Sequence, residues 1–466
     1  MKLFLIFLSL LTVVIFFNAM FYLDSIPWIL LLLPICAIFL SHILNFPQII
    51  MLIFIVLVPL DMYASIIPGA SESATLFKIL FPVTFIIFII KSVKESNLRE
   101  SLRLNSMDLW LLILAVFSIL SVLNSPDRTM AISEYRRLVS MWLMYFLISR
   151  LFKNANWFNA MVITLVFSSL LGLVTGLGAF ITGQNYFSQD ANSDFIRLTG
   201  GSNISPNDYA TYLIVPLVMS FYLYLKSEKQ SLKILYLLIT VANLTGILFT
   251  YSRSAVLSLA FGLIFFLVNT RPKIPKKVYL FGFIASLVCI PILPTSILER
   301  MTSLSQIGTG NDYSLMRRAN YWLVAKNIMK DYFWFGAGPN GFMYLHSAPE
   351  YQTISSLIGV PRQPHNEYLK SLTERGIIGT ILYGAFILSA YKILLRYKKT
   401  PFGRVLFYSF GFFMIMGLFL HLQVNKIYWL HFALIRILPY LYEDREQMDP
   451  NLQENTQLTH QKTVTA

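Results

Sequence analysis

Residues 207–270 read NDYATYLIVPLVMSFYLYLKSEKQSLKILYLLITVANLTGILFTYSRSAVLSLAFGLIFFLVNT, and three long apolar runs fill the stretch, at 207–226, 233–250 and 254–270. Each comes close to the ~20 predominantly apolar residues that a helix needs to cross the hydrocarbon core of a bilayer. What separates them is short: Lys226, Lys229 and Lys233 in the first connection, Ser252 and Arg253 in the second, with Arg271 and Lys273 after the third run. Such a chain expects lipid as the solvent for most of its surface.

The pattern recurs in both directions. Spanning segments are expected at 3–20, 26–43, 47–66, 76–92, 108–123, 134–150 and 158–182, then at the three runs above, then at 279–297, 368–391, 405–421 and 427–442. The first run could pass for a signal peptide, but no small-residue cleavage site follows it, and it is read as a spanning helix. Composition agrees: 56% of the 466 residues are hydrophobic, 13% are charged and the mean hydropathy is +0.63. An ordinary soluble domain is about a quarter charged. The expected fold class is therefore all-α integral membrane, a polytopic bundle of about 12–14 transmembrane helices with one long periplasmic loop containing short helices. Residues 1–297 hold transmembrane helices 1–11, 298–367 the loop, 368–442 helices 12–14, and 443–466 a cytoplasmic tail.

Charge bias orients the bundle. Lys91, Lys94, Arg99 and Arg103, then Arg150 and Lys153, then the lysines at 226–233, then Arg271, Lys273, Lys276 and Lys277, then Lys392, Arg396, Lys398, Lys399 and Arg404 fall in alternate connections. The connections between them have few basic residues. By the positive-inside rule both termini are cytoplasmic. The formal charge of +14 is explained by these loops, and no basic face interleaved with aromatics is present to track a phosphate backbone, so no nucleic acid is expected as a partner. Cys36 and Cys289 lie within apolar runs and read as core residues.

The loop at 298–367 is too aromatic for a solvated linker, with Tyr321, Trp322, Phe333, Trp334, Phe335 and Phe342 among others. Within it, 314–330 has the helical spacing of Leu315, Tyr321, Trp322, Ala325 and Ile328, expected of a helix on the membrane surface. The G-x-G-x-x-G of residues 336–341 has no preceding strand and contains Pro339; it reads as a tight turn needing positive φ, not as a nucleotide site.

Polar residues with chemical potential collect on the outer face. Arg253 begins a helix beside Ser252 and Ser254, a combination suited to an anion, although an arginine snorkelling to headgroups has the same sequence. Arg318 shares a helical face with Trp322, and Arg317 beside it is an equal candidate for the same role. Pro364, His365 and Asn366 open the twelfth helix, which places His365 in the first turn, where the dipole disfavours imidazolium. It is either a structural histidine or a general base. Glu374 follows within the same helix, with Arg375 as a possible partner. Arg197, Asn203, Asn207 and Asp208 are the polar groups where an outer loop enters the helix at 207, with Ser205 or Asn207 as its cap. No carboxylate or His/Cys cluster suits a metal, and no cofactor is expected.

In order along the chain these motifs are R-x-x-G-x-x-x-x-x-P-N-D-x-A from Arg197, S-R at 252–253, R-x-x-x-W from Arg318, G-x-G-x-x-G-F at 336–342, and H-N-x-x-L-x-x-x-x-E-x-G-x-x-G from His365 to Gly379. Over residues 190–390 the combination resembles the O-antigen ligase and polymerase superfamily. The resemblance implies an undecaprenyl-diphosphate-linked glycan as donor, a glycan or lipid A-core-type acceptor, and a site at the periplasmic face of the bacterial inner membrane. By the same resemblance Arg253 and Arg318 would bind the diphosphate and His365 would activate the acceptor hydroxyl. Asn203, Asn207, Asn366, Glu374 and Arg197 are further substrate-binding candidates. Arginine can neutralise a diphosphate without a metal, and direct displacement would invert the anomeric carbon. The rival class is a transporter or flippase of lipid-linked glycan, which should show polar residues at mid-membrane and broken helices related by a repeat.

Overall fold

The computed structural model describes residues 45–60, 76–182, 197–199, 205–270 and 313–448. Every described element is helical, and no strand occurs among the described residues. In chain order they are α1 (Gln48–Leu57), α2 (Leu76–Lys94), the short α3 (Leu98–Ser101), α4 (Ser106–Leu123), α5 (Arg128–Leu151), α6 (Ala155–Ile181), α7 (Pro206–Lys226), α8 (Gln230–Phe249), α9 (Arg253–Thr270), α10 (Tyr313–Asp331), α11 (Gly341–His346), α12 (Glu367–Tyr397), α13 (Pro401–Met416) and α14 (Lys426–Met448). The protein is an all-α polytopic membrane fold.

The expected spans at 3–20, 26–43 and 279–297 lie outside the described residues. Each of the others coincides with a helix, with ends set by local chemistry. Asn105 and Asp108 exchange side-chain and backbone bonds in a capping box that starts α4, and Asp127 accepts from Met130 N–H to start α5. Ser205 caps α7 ahead of Pro206 in its first turn. Five helices, α4, α6, α7, α8 and α12, are long and apolar enough to cross a membrane by length and composition. The helix expected at 405–421 is the shorter α13, because the chain leaves helical geometry after Met416 to form a polar connection.

Apolar side chains face outward along the shafts, Ile90, Val116, Leu238 and Ile381 among them, as lipid demands and water would penalise. The interior is aromatic: Trp429 packs against Tyr145, Phe386 and Phe432, and the hydroxyls of Tyr383 and Tyr428 meet at its centre.

Polar networks mark the two ends. At one, Asp108 holds Arg150 at 2.7 Å and Arg436 at 3.0 Å, and Tyr145 donates to the same carboxylate at 2.9 Å. This pairing explains how the last helix tolerates Arg436. At the other, the C-terminal ends of α4, α8 and α13 and the N-terminal ends of α5, α7, α9, α12 and α14 gather beneath α10 and α11.

The element that shapes this second end is a break in α12. Gly376 has φ 64° and ψ −171°, outside the helical region, in a conformation that is essentially restricted to glycine. The break frees backbone groups that the 333–338 turn then takes up. Thr373 and Glu374 carbonyls accept from Ala337 and Gly338 N–H at 2.9 Å each, and Ile377 N–H donates to Phe333 at 2.9 Å. Gly336 and Gly338 have φ of 72° and 80°, as a tight turn requires. A side chain on Gly336 would overlap the Glu374 carbonyl, and one on Gly376 the Trp334 carbonyl. Asn124 of the turn after α4 donates to Gly336 O at 2.8 Å and Ser121 Oγ to Glu374 O at 2.5 Å, so the junction is held from a third side.

Candidate functional site

Six hydrogen bonds join the start of α12 to the end of α13 and to the connection between α13 and α14. Glu367 N–H donates to Gly417 O at 2.7 Å, its carboxylate accepts from the N–H groups of Leu422 (2.6 Å) and Gln423 (3.1 Å) and from the Gln423 amide, Asn366 donates to Leu418 O at 3.2 Å, and Tyr368 donates to Met414 O at 2.6 Å. Backbone N–H groups and a side-chain amide thus satisfy a carboxylate that burial would otherwise make costly. Residues 417–425 become the hub of the site.

His365 is next to this hub but not inside the helix. The cap is Asn366, whose side chain accepts from Leu369 N–H at 2.9 Å, so His365 stands one residue ahead of the cap with a left-handed φ of 46°. Few non-glycine residues adopt such a backbone, and the strain of about 1–3 kcal/mol is characteristic of functional sites. Enclosure by protein, then the charges of Arg318, Arg362 and Lys370, push its pKa down to about 4, although the residue remains exposed to solvent. The neutral imidazole expected from the helix dipole is thus favoured mainly by crowding and neighbouring cations. His365 packs against His421 of the hub, ring centroids 5.6 Å apart, and against Tyr321 of α10 at 6.2 Å.

Helix α10 turns its Tyr321, Val324, Ala325 and Ile328 inward, while Trp322 is 57% exposed and points away from that face. The sequence spacing put Trp322 with the packed residues. Of the two aromatics in that spacing only Tyr321 packs inward, where it reaches Phe342 and His346 of α11. One turn earlier, the Arg318 guanidinium lies 5.5 Å from the ring centre of Phe419 in the hub, and its charge reaches His365. Arg317 is close enough to influence Tyr321. Of the two arginines, Arg318 is the one that meets the hub. Arg362 bonds Tyr321 and acts on both His365 and His346.

Arg253 is the first residue of α9, after Ser252, which accepts from Ala255 N–H at 3.3 Å. Ser258 donates to Met416 Sδ at 3.6 Å. Arg253 stands five residues of helix, at ~1.5 Å each, N-terminal to that contact. Arg197 donates to Thr250 O at 2.9 Å and to Asn207 Oδ1 at 3.1 Å, fastening the start of α7 to the end of α8. Asp208 bonds Ser205 and Asn425. Asn203 lies outside the described residues. Both ends of the Asn366 amide are engaged, in the cap and with Leu418.

Glu374 pairs differently from the expectation. Its cation is Lys370, at 3.8 Å, and Lys370 also holds Glu134 of α5 at 3.2 Å. Arg375 turns to the hub instead and donates to Gln423. The reason is helical geometry: Lys370 is one turn from Glu374 on the same face, whereas adjacent residues point apart. Arg137 reaches Glu134 at 3.8 Å and extends its charge to Asp208 and His421.

Several participants escaped the reading of the sequence: Glu134, Arg137, Arg362, Lys370 and His421. Glu134 and Arg137 begin a span already recognised, and His421 ends one. The available signal was that these ionisable residues lie at, or in the loop leading to, the outer ends of the expected spans at 134–150, 368–391 and 405–421.

Together the site presents guanidinium groups around a strained, neutral imidazole, with carboxylates largely consumed by Lys370 and by backbone donors. It can accept a proton beside a bound anion. Residues 237–384, which include Arg253, Arg318, His365 and Glu374, match the family model described as O-antigen ligase. No curated protein matches the chain.

Proposed function

We propose, from the match of residues 237–384 to the O-antigen ligase family model, that the chain transfers an undecaprenyl-diphosphate-linked glycan to an acceptor hydroxyl. The reaction takes place at the periplasmic face of the bacterial inner membrane. Glycosyl transfer in surface-polysaccharide assembly is what the family does. The observation that carries the finer reading is the meeting of His365 with the Arg318 guanidinium over one short connection, at the end of the bundle where α9 presents Arg253.

Nucleotide sugars and ATP are absent outside the inner membrane, so an activated donor there arrives on a lipid with a diphosphate leaving group. Arg318 and Arg253 neutralise the charge that develops on the diphosphate as the anomeric C–O bond breaks. His365, neutral and exposed to solvent, takes the proton from the acceptor hydroxyl as the new C–O bond forms on the opposite face. That geometry inverts the anomeric centre. The leaving group is undecaprenyl diphosphate, and the imidazolium returns its proton to water.

Replacing His365 by Ala tests the reading, with membrane abundance checked first. Finished surface glycan should fall at least ~100-fold, the low end for loss of a general base. Full-length lipid-linked chains accumulate if the protein is a ligase, and single repeat units accumulate if it is a polymerase. Unchanged glycan at normal abundance removes the enzyme reading.

A further inference from the structure

The group least explained by the roles above is His421. It occupies the hub between the buried Leu420 and Leu422, which fix the local backbone against the core. Its Nδ1 is enclosed and has no hydrogen-bond partner among the described residues. A buried donor left unsatisfied costs more than a buried acceptor, because orphaned N–H groups are the rarer and dearer case. The proton of the neutral ring is therefore assigned to Nε2, the nitrogen left to face the site.

Burial and the charges of Lys370, His365 and Arg137 hold its pKa well below the usual imidazole range, so a neutral ring is the relevant form. Its neighbour across the gap is His365, with 5.6 Å between ring centres and planes inclined at 51°. Nitrogens on the facing edges of rings so spaced are near enough to share one hydroxyl oxygen, at about 2.7–3.2 Å from each. One nitrogen would then accept and the other donate.

We infer that His421 is a second substrate-touching residue of the site: its Nε2–H donates to the acceptor hydroxyl oxygen and fixes the oxygen's orientation while His365 receives the hydroxyl proton. His421 keeps its own proton throughout. The bond it makes is to the attacking oxygen, not to the diphosphate, which has arginines for partners. This role rests on the transfer reaction proposed above, and extends it to the acceptor side.

The test uses full-length protein in cells that assemble the glycan, with rates of finished-glycan formation normalised to membrane abundance. Purified protein in nanodiscs is then titrated with undecaprenyl diphosphate. His421→Ala should lower the normalised rate at least tenfold while leaving undecaprenyl diphosphate affinity within about twofold of wild type. His421→Gln, whose side-chain amide places an N–H donor where Nε2–H was, should recover at least threefold over the Ala variant, a rescue that a filler of space would not show. Equal rates for the Ala and Gln variants, a wild-type rate for His421→Ala, or a matching loss of undecaprenyl diphosphate affinity would each overturn the assignment. His365→Ala in the same cells separates the two levels of argument: if it too makes glycan at the wild-type rate, the transfer reaction itself is wrong, whereas a loss confined to His365→Ala removes only the role of His421.

Discussion

His365 combines a left-handed backbone with a pKa of about 4 and contact with both a loop helix and the hub. An ordinary imidazole titrates near 6.5, so at neutral pH this one is unprotonated and available as a base. The sign follows directly. The fold favours the neutral ring, so its contribution to stability is complete above about 6.5 and is lost as pH falls towards 4. Transfer by protein in proteoliposomes should stay level from neutral pH down to about 5 and reach half its maximum near pH 4. Arg362→Gln removes one of the cations that disfavour imidazolium. Its acid limb should therefore move to higher pH, and a limb that stays in place would show that enclosure, Arg318 and Lys370 set the value without Arg362. Among the anticipated residues, Arg197, Asn207 and Asn366 have their polar groups engaged with neighbouring helices and the hub.

At the level of elements, the interrupted helix α12 does most to build the site. Its first part, through Arg375, is tied to the hub, and its second part runs into the apolar bundle. Gly376 joins the two in a conformation closed to other residues, with the Trp334 carbonyl in the space a Cβ would need. Gly376→Ala should lower stability by about 1–3 kcal/mol from backbone strain alone, read as a fall in the thermal midpoint of the detergent-solubilised protein. The sequence showed Gly336, Gly338 and Gly376 within recognisable motifs, and a tight turn was legible at 336–341. That the turn docks onto the helix break was not, because the partners are carbonyls exposed only once the helix is interrupted.

Across the whole molecule, ionisable residues separate into two groups with different work. The Asp108, Arg150 and Arg436 cluster is almost fully enclosed, and both guanidinium groups are drawn to the one carboxylate. It ties α4, α5 and α14 together and leaves nothing open for a substrate. Removing one partner of a buried ionic group typically costs 3–5 kcal/mol. Asp108→Ala should thus reduce membrane abundance and thermal stability by an amount of about that size, while the surviving molecules keep their rate of transfer. A per-molecule rate that falls in step with stability would mean that the two ends are coupled. The group around residues 417–425 keeps the exposed His365 and the Arg318 guanidinium together, as the proposed transfer needs.

The sequence by itself determined the solvent of this protein, its helical class, most helix positions and the motifs that mark one end of the bundle. These are local properties: apolar run length, capping residues and the period of a helix act over ten to twenty residues and survive any tertiary arrangement. Only the tertiary structure decided that α12 breaks at Gly376, that Lys370 and not Arg375 serves Glu374, and that Glu134, Arg137 and His421 join a site whose family motifs lie elsewhere. Contacts between residues separated by 50 to 240 positions are fixed by helix packing and by the need to satisfy buried charge, and neither leaves a periodic trace in the chain.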